Sequence, residues 1–294
     1  MTVYGCSPKE KNPLLTDFDT AYGAPPFDQI ENRHYLPAFE EAIQLHEEEI
    51  HAIVSNAESP DFENTIVAYD NSGEKLNRIS RIFGGLNSAN TNDSLQEIDK
   101  EITPLLSAHS NEILFNEKLF ERIKAVYDKR NELDLDKEQM RVVEKIYEDF
   151  ARNGAALPKE EREKLKEINE RMSMVSLQLR QNHLAENNNF TLVIEDEADL
   201  AGLPDPVVSA AAEAAKAAGE EGKWVFTLAK PSWIPFLQFS ENRALREKLH
   251  KAYVNRGDNN NENDNKELFK ELLMLRQQMS EMLGYDNYAK YFTS

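Results

Sequence analysis

The sequence predicts an all-α protein, a multi-helix bundle that carries one small β element around residues 190–195 and 224–229. Three observations lead there. Apolar residues from Tyr35 onward recur at three- and four-residue spacing, which gathers them on one face of a helix. The joints between these stretches are short and polar, as between antiparallel neighbours in a bundle. Two-residue alternation, the mark of a half-buried strand, is confined to two short runs.

In chain order, residues 1–25 read as a polar tail and residues 26–294 as the helical part. Pro37 stands where a first-turn proline is tolerated, and the stripe Phe39, Ile43, His46, Ile50 and Ile53 makes one long helix. Ser59-Pro60-Asp61 is a turn, after which Asn64 or Thr65 can cap a helix striped by Ile66, Tyr69, Leu76, Ile79 and Phe83. Gly73 then falls near the middle of that helix, where it weakens the element by about 1 kcal/mol and lets a neighbour come close. Further helices are expected from Asp93 to Ser107, with Leu95, Ile98, Ile102, Leu105 and Leu106 inward, from Asn116 to Leu133, and from Asp136 to Arg152. Leu157-Pro158 opens the longest helix, to about Asn187, on which Leu165, Ile168, Met172, Val175 and Leu179 hold a heptad-like seam with His183 next in line.

A strand–helix–strand insertion at 190–230 follows. Phe190, Leu192 and Ile194 alternate in the first strand, and Asp205-Pro206 starts an alanine-rich helix that Gly219 stops. In the second strand Trp224, Phe226 and Leu228 alternate with Val225, Thr227 and Ala229, and Pro231 and Pro235 end it. From Asn242 to Asn255 a helix presents Leu245, Leu249, Ala252 and Tyr253, and Arg256-Gly257 closes it. The last long helix carries Leu268, Leu272, Leu275, Met279 and Met282, with Phe269, Leu273 and Leu283 widening the stripe enough for two packed neighbours.

A formal charge of −19 argues against nucleic acid as a partner, since no basic patch stands out to release phosphate counterions. No run of roughly eighteen apolar residues is present, so no membrane span is expected. Val3-Tyr4-Gly5-Cys6-Ser7 has the pattern of a bacterial lipoprotein cleavage site, but too few residues precede Cys6 for a signal peptide. Cys6 is therefore either a lipidated residue of a longer precursor, tethered by Ser7 to Ala24 at the cell envelope or in the periplasm, or a lone thiol of a cytoplasmic protein.

No catalytic, cofactor-binding or metal-binding residue can be named by motif. His46 and His51 are five residues apart, roughly 140° round a helix, so they do not share a metal, and His46 reads as a histidine at the edge of a core. Asp258 to Asn265 has the composition of a calcium loop, but Asn263 stands where glycine is needed and Phe269 where a bidentate glutamate should be. That segment reads as a solvated loop whose Asp264 or Asn265 caps the next helix. Glu47-Glu48-Glu49 and Glu160-Glu161 diverge round their helices and read as charged solvent faces.

Several stretches carry a resemblance. Upstream they are Pro26-Phe27-Asp28-Gln29-Ile30, His34-Tyr35, Pro60-Asp61-Phe62 with Asn64-Thr65-Ile66, and Ser72-Gly73-Glu74. Downstream they are Trp224-Val225-Phe226-Thr227-Leu228, Asn242-Arg243-Ala244-Leu245-Arg246-Glu247, Leu275-Arg276, and Leu283-Gly284-Tyr285-Asp286-Asn287-Tyr288-Ala289. Each is weak alone, but their shared order resembles the thimet-oligopeptidase-like zinc metallopeptidases, and among them the bacterial dipeptidyl carboxypeptidases (peptidyl-dipeptidases).

The resemblance implies a nearly all-helical fold and a zinc site in a deep channel, where a His-Glu-x-x-His helix holds the metal and its glutamate activates a bound water. That helix has no counterpart in these 294 residues. The expectation is therefore the N-terminal, channel-wall part of a peptidase acting on short peptides. Zinc would belong to the full-length protein and not to this part, and the remaining C-terminal half of the same chain would be its partner. The competing expectation is a non-enzymatic helical module that binds a peptide or protein, or serves as a scaffold.

Overall fold

The computed structural model describes residues 11–293. Within them the chain is helical almost throughout, with a single two-stranded sheet among the described residues. It divides into two compact units, one of Met1–Met174 with Leu275–Ser294 and one of Val175–Met274.

The first unit begins with α1 (Tyr35–Ser55), whose Tyr35, Ala38, Phe39 and Ala42 are fully buried. They pack with Leu76, Ile79 and Phe83 of α3 (Glu74–Ala89) and with Leu95 and Ile102 of α4 (Asp93–Leu114). Leu14 lies in the same cluster with no exposed surface, although a tail was expected there. Pro13 opens a 3-10 turn capped by Asn12, whose amide also donates to the His34 carbonyl at 2.7 Å, and this holds Leu14, Leu15 and Phe18 onto the core. Cys6 lies outside the described residues.

The chain between α1 and α3 departs from the expected continuous helix. Asp61, not Asn64 or Thr65, is the cap: its carboxylate accepts from the Asn64 amide at 2.7 Å, while the Asn64 side chain accepts from the Asp61 amide. A wide π-turn, Phe62–Val67, leads into the three-residue α2 (Ala68–Asp70). Gly73 then breaks the path, because its φ of +70° is a left-handed conformation that interrupts a right-handed helix. Upstream of it, buried Arg122 of α5 (Glu117–Lys129) ties down the turn between α1 and the π-turn by donating to Asn56 O, Glu58 O and Asn64 Oδ1.

α4 runs seven residues past the expected Ser107 end. Leu105 is exposed, and Leu95, Ile102 and His109 form the buried line instead. α5 and α6 (Lys137–Arg152) bury Leu119, Ile123, Val126, Val143, Ile146 and Phe150, with Asn116 and Asp136 as caps, close to the expected stripes. α7 (Lys159–Asn189) contributes Leu165, Ile168 and Met172 to a third cluster with Phe115, Met279, Met282 and Leu283. The unit closes with α12 (Tyr288–Thr293), where Tyr291 donates to Asn153 Oδ1 at 2.6 Å.

The second unit holds the sheet. β1 (Thr191–Ile194) pairs antiparallel with β2 (Trp224–Thr227), Leu192 opposite Phe226 and Ile194 opposite Trp224. Leu192 and Ile194 are buried as the alternation requires, but in β2 Val225 is buried together with Phe226, so that strand is covered on both faces. α8 (Asp205–Ala217) packs on β2 through Ala211.

The prolines expected to end β2 belong instead to α9 (Lys230–Phe239). Pro231 occupies its first turn, where no amide donor is needed, and Pro235 is accommodated inside because Phe236 and Trp233 anchor the helix in the core. α10 (Arg243–Val254) is capped by Asn242 and packs Leu249 against the same core. α11 (Lys266–Met282) buries Leu272 and Met279, but Phe269 and Leu273, expected to widen the buried stripe, are 55% and 63% exposed. On α7 the residue after Leu179 that turns inward is Asn182, and His183 is exposed.

Candidate functional site

Polar chemistry inside the first unit concentrates where α1, α4 and the reversal at Gly73 meet. His46 of α1 and His109 of α4, 63 residues apart in sequence, place Nδ1 and Nε2 at 3.0 Å with their rings edge to face. His46 Nε2 reaches Ser72 Oγ at 3.2 Å, and the Ser72 hydroxyl donates to the Tyr69 carbonyl at 2.7 Å. Gly73 makes room for this: a Cβ there would stand 2.6 Å from His46 Cε1. The Gly73 amide in turn donates to the Glu49 carboxylate at 2.7 Å.

These bonds assign the protons. Ser72 has one hydroxyl hydrogen, and the shorter contact to Tyr69 O takes it, so Ser72 Oγ accepts from His46 Nε2–H. His46 Nδ1 is then an acceptor and takes the Nε2–H of His109. With both rings neutral, as burial favours, His109 Nδ1 is left with a lone pair. That atom is buried and has no hydrogen-bond partner, on a side chain 5% exposed.

Its nearest charged neighbour is Glu47 Oε1 at 3.7 Å, beyond hydrogen-bond length, and Glu112 lies three residues further along α4, on the same helix face. Ligand atoms of Glu47, His109 and Glu112 all fall within 4.8 Å of one another. Burial pushes His46 below the ordinary histidine value, the neighbouring His109 adds to this, and Glu49 opposes it. Burial likewise lowers His109, against the pull of Glu47 and Glu112.

The sequence-based view of His46 as a core-edge histidine missed its partner. His109 continues the stripe Leu95, Ile98, Ile102 and Leu106 by one more step, a signal hidden by ending α4 at Ser107. His51 is exposed and takes no part. Asp258 to Asn265, in the second unit, is the expected solvated loop over 258–262, and Asp264 Oδ1 accepts from the Lys266 amide at 3.0 Å as the cap of α11. The Lys266 ammonium bonds Asp258, Asn260 and Asp264, and buried Asn265 donates to Leu179 O and accepts from Asn182. Its cation is thus a lysine of the chain itself.

Comparison with known proteins now bears on what these helices belong to. Residues 236–294 match the model of peptidase family M3. The chain is 39% identical over 280 residues to a dipeptidyl carboxypeptidase of Escherichia coli and 36% identical to that of Salmonella typhimurium, in each case over 95% of this chain and 41% of the relative. It is 32% identical over 282 residues to oligopeptidase A of Escherichia coli. What the chain is similar to is peptidase family M3. It spans about two fifths of the length of these relatives, 41% in each case.

A metallopeptidase family implies a metal, typically zinc, in its full-length members, and the sequence resemblance implies a His-Glu-x-x-His helix to hold it. None of the six histidines stands in such a run. His46 turns toward His109 while His51 is exposed, so α1 does not present two imidazoles to one ion. The described residues do not fit that centre. No step of hydrolysis is derived through it.

Proposed function

We propose that this chain is the non-catalytic helical part of a zinc-dependent peptidyl-dipeptidase, which releases dipeptides from the C-termini of short peptides. The observation that carries the reading is the graded similarity: 39% and 36% identity to the two dipeptidyl carboxypeptidases against 32% to oligopeptidase A, over nearly the same residues. The zinc ligands, the general base and the groups that read a substrate's terminal carboxylate would come from residues beyond these 294. The exposed apolar side chains of α11, Phe269, Leu273 and Met274, support a role as a wall that further chain covers. No helix of the described residues is long and apolar enough to cross a membrane. Lipidation of Cys6 would hold the enzyme at the cell envelope, and acyl-chain labelling in the host reads this directly.

The test compares the complete gene product with the 294-residue chain. Zinc content is measured, together with cleavage of an N-blocked tetrapeptide bearing either a free or an amidated C-terminus. The complete product should hold about one zinc more than the 294-residue chain and release the C-terminal dipeptide only from the free acid, while the 294-residue chain cleaves neither. Equal cleavage of the amidated peptide would indicate an endopeptidase and refute the dipeptidase assignment. Cleavage by the 294-residue chain alone would refute its non-catalytic role.

A further inference from the structure

We propose that Glu47, His109 and Glu112 form a binding site for a first-row divalent transition-metal ion, clamping α1 to α4. The deciding feature is His109 Nδ1. It is buried, it makes no hydrogen bond, and it faces a carboxylate at 3.7 Å. The chain of bonds from Tyr69 O through Ser72 and His46 leaves this nitrogen a lone pair. A lone pair opposite a carboxylate is repulsive, and an orphaned buried acceptor is costly. A cation between them removes both penalties.

The donor set fits such an ion. His109 and Glu112 are three residues apart on α4 and project from one face, and Glu47 comes from the facing helix, which is how helix bundles build metal centres in their interior. Two carboxylates balance a double positive charge, so a site at the edge of the core gains no net charge. An imidazole nitrogen selects against calcium and magnesium, which take oxygen ligands, and in favour of zinc, manganese or iron. Bonds of about 2.0–2.2 Å to the ion put tetrahedral ligand atoms about 3.5 Å apart, so atoms now within 4.8 Å of one another must close by up to about 1.3 Å. Both carboxylates are exposed and free to swing, while the imidazole is held by His46. The His109–His46–Ser72 relay then acts as the outer shell that fixes the ligand's tautomer and aim.

Titration of the 294-residue chain with zinc chloride, with manganese chloride, and with magnesium chloride as the oxygen-preferring control tests this by calorimetry and by 15N NMR of the histidine rings. About one zinc or manganese ion should bind, His109 Nδ1 should shift as the bound nitrogen, and magnesium should compete at least about tenfold more weakly. His109→Gln, Glu47→Gln and Glu112→Gln should each weaken binding at least about tenfold, while His51→Gln leaves it unchanged. The two glutamate variants alter exposed side chains, so they remain informative if His109→Gln fails to fold. Absence of binding at millimolar metal would overturn the proposal. So would a hydrogen found on His109 Nδ1 in the metal-free protein, or loss of binding in His51→Gln with Glu112→Gln unaffected. These readouts do not involve peptide cleavage, so the site stands or falls independently of the peptidase reading.

Discussion

Replacing Gly73 with alanine tests the reversal between α1 and α3 on which the His46 cluster rests. Two costs add. At φ +70° an alanine pays about 1–2 kcal/mol for left-handed backbone. Its Cβ would also lie 2.6, 2.8 and 2.9 Å from three atoms of the His46 ring. That ring is pinned by bonds to His109 and Ser72 at 3.0 and 3.2 Å, so it does not swing aside, and overpacking of this kind costs about 1–3 kcal/mol. Gly73→Ala should therefore destabilise the first unit by about 2–5 kcal/mol. Gly284 supplies the control within the same unit. Its φ is +82°, it closes α11 with Tyr285 N donating to Ser280 O, and a Cβ there meets nothing within 4 Å, so Gly284→Ala should pay the backbone term alone. Urea unfolding followed by far-UV circular dichroism reads both. A third variant, His46→Ala, combined with Gly73→Ala, should recover the excess as a coupling energy of opposite sign. If Gly73→Ala costs no more than Gly284→Ala, or if the excess survives without the His46 ring, the steric argument is refuted.

Other outcomes follow from single contacts. Arg122→Met removes the donor to Asn56 O, Glu58 O and Asn64 Oδ1 and should cost about 2–4 kcal/mol in urea unfolding, and a cost below about 1 kcal/mol would mean that water replaces the guanidinium. Asn265→Ala strips the Leu179 carbonyl and the Asn182 amide of their buried partner and should cost about 1–3 kcal/mol, read by the fluorescence of Trp224 and Trp233 in the same unit. Burial, aided by Asp149 and Asp70, raises Tyr69 above its ordinary value of 10.0, so the unfolded chain gives up this proton first. Its contribution is therefore complete below pH 10 and is lost as pH rises from there through the folded value, and Tyr69→Phe should flatten stability against pH in that alkaline window and nowhere else.

How much of this was legible depends on what each feature requires. α5, α6 and α10 lie within a residue or a few of their expected ends, because an amphipathic stripe and an asparagine or aspartate cap are both local: Asn116, Asp136 and Asn242 all accept from amides of the first turn. The break at Gly73 was harder to see. A helical stripe continues across it from Ile66 to Phe83, and only the ring of His46 shows why the chain turns there. α9 was hidden by reading Pro231 and Pro235 as terminators, when the first sits in a first turn and the second is outweighed by packing of Phe236. Phe269 and Leu273 look buried in the pattern and are exposed in the fold, since hydrophobic spacing says that a face is apolar but not what covers it. The His46–His109 pair joins residues 63 apart, beyond the reach of any periodicity.

A common logic places two of the buried polar clusters. A buried imidazole or amide needs several partners, and the amides and carbonyls inside a helix are already taken by one another. Free ones occur where the chain reverses, and a left-handed glycine both makes the reversal and omits the Cβ that would fill the space. His46 lies against Gly73 in this way, and Asn265 against Gly257, whose carbonyl accepts the Asn265 amide at 2.7 Å and whose missing Cβ would come 2.9 Å from Asn265 Nδ2. Gly154 is also left-handed, and although its missing Cβ would meet Leu165, Leu157 and Leu283, buried Arg162 donates to the carbonyl of the next residue, Ala155. Reversals are not the only source of such partners: the Leu179 carbonyl that accepts from Asn265 lies inside α7, where a helical carbonyl still offers its second lone pair.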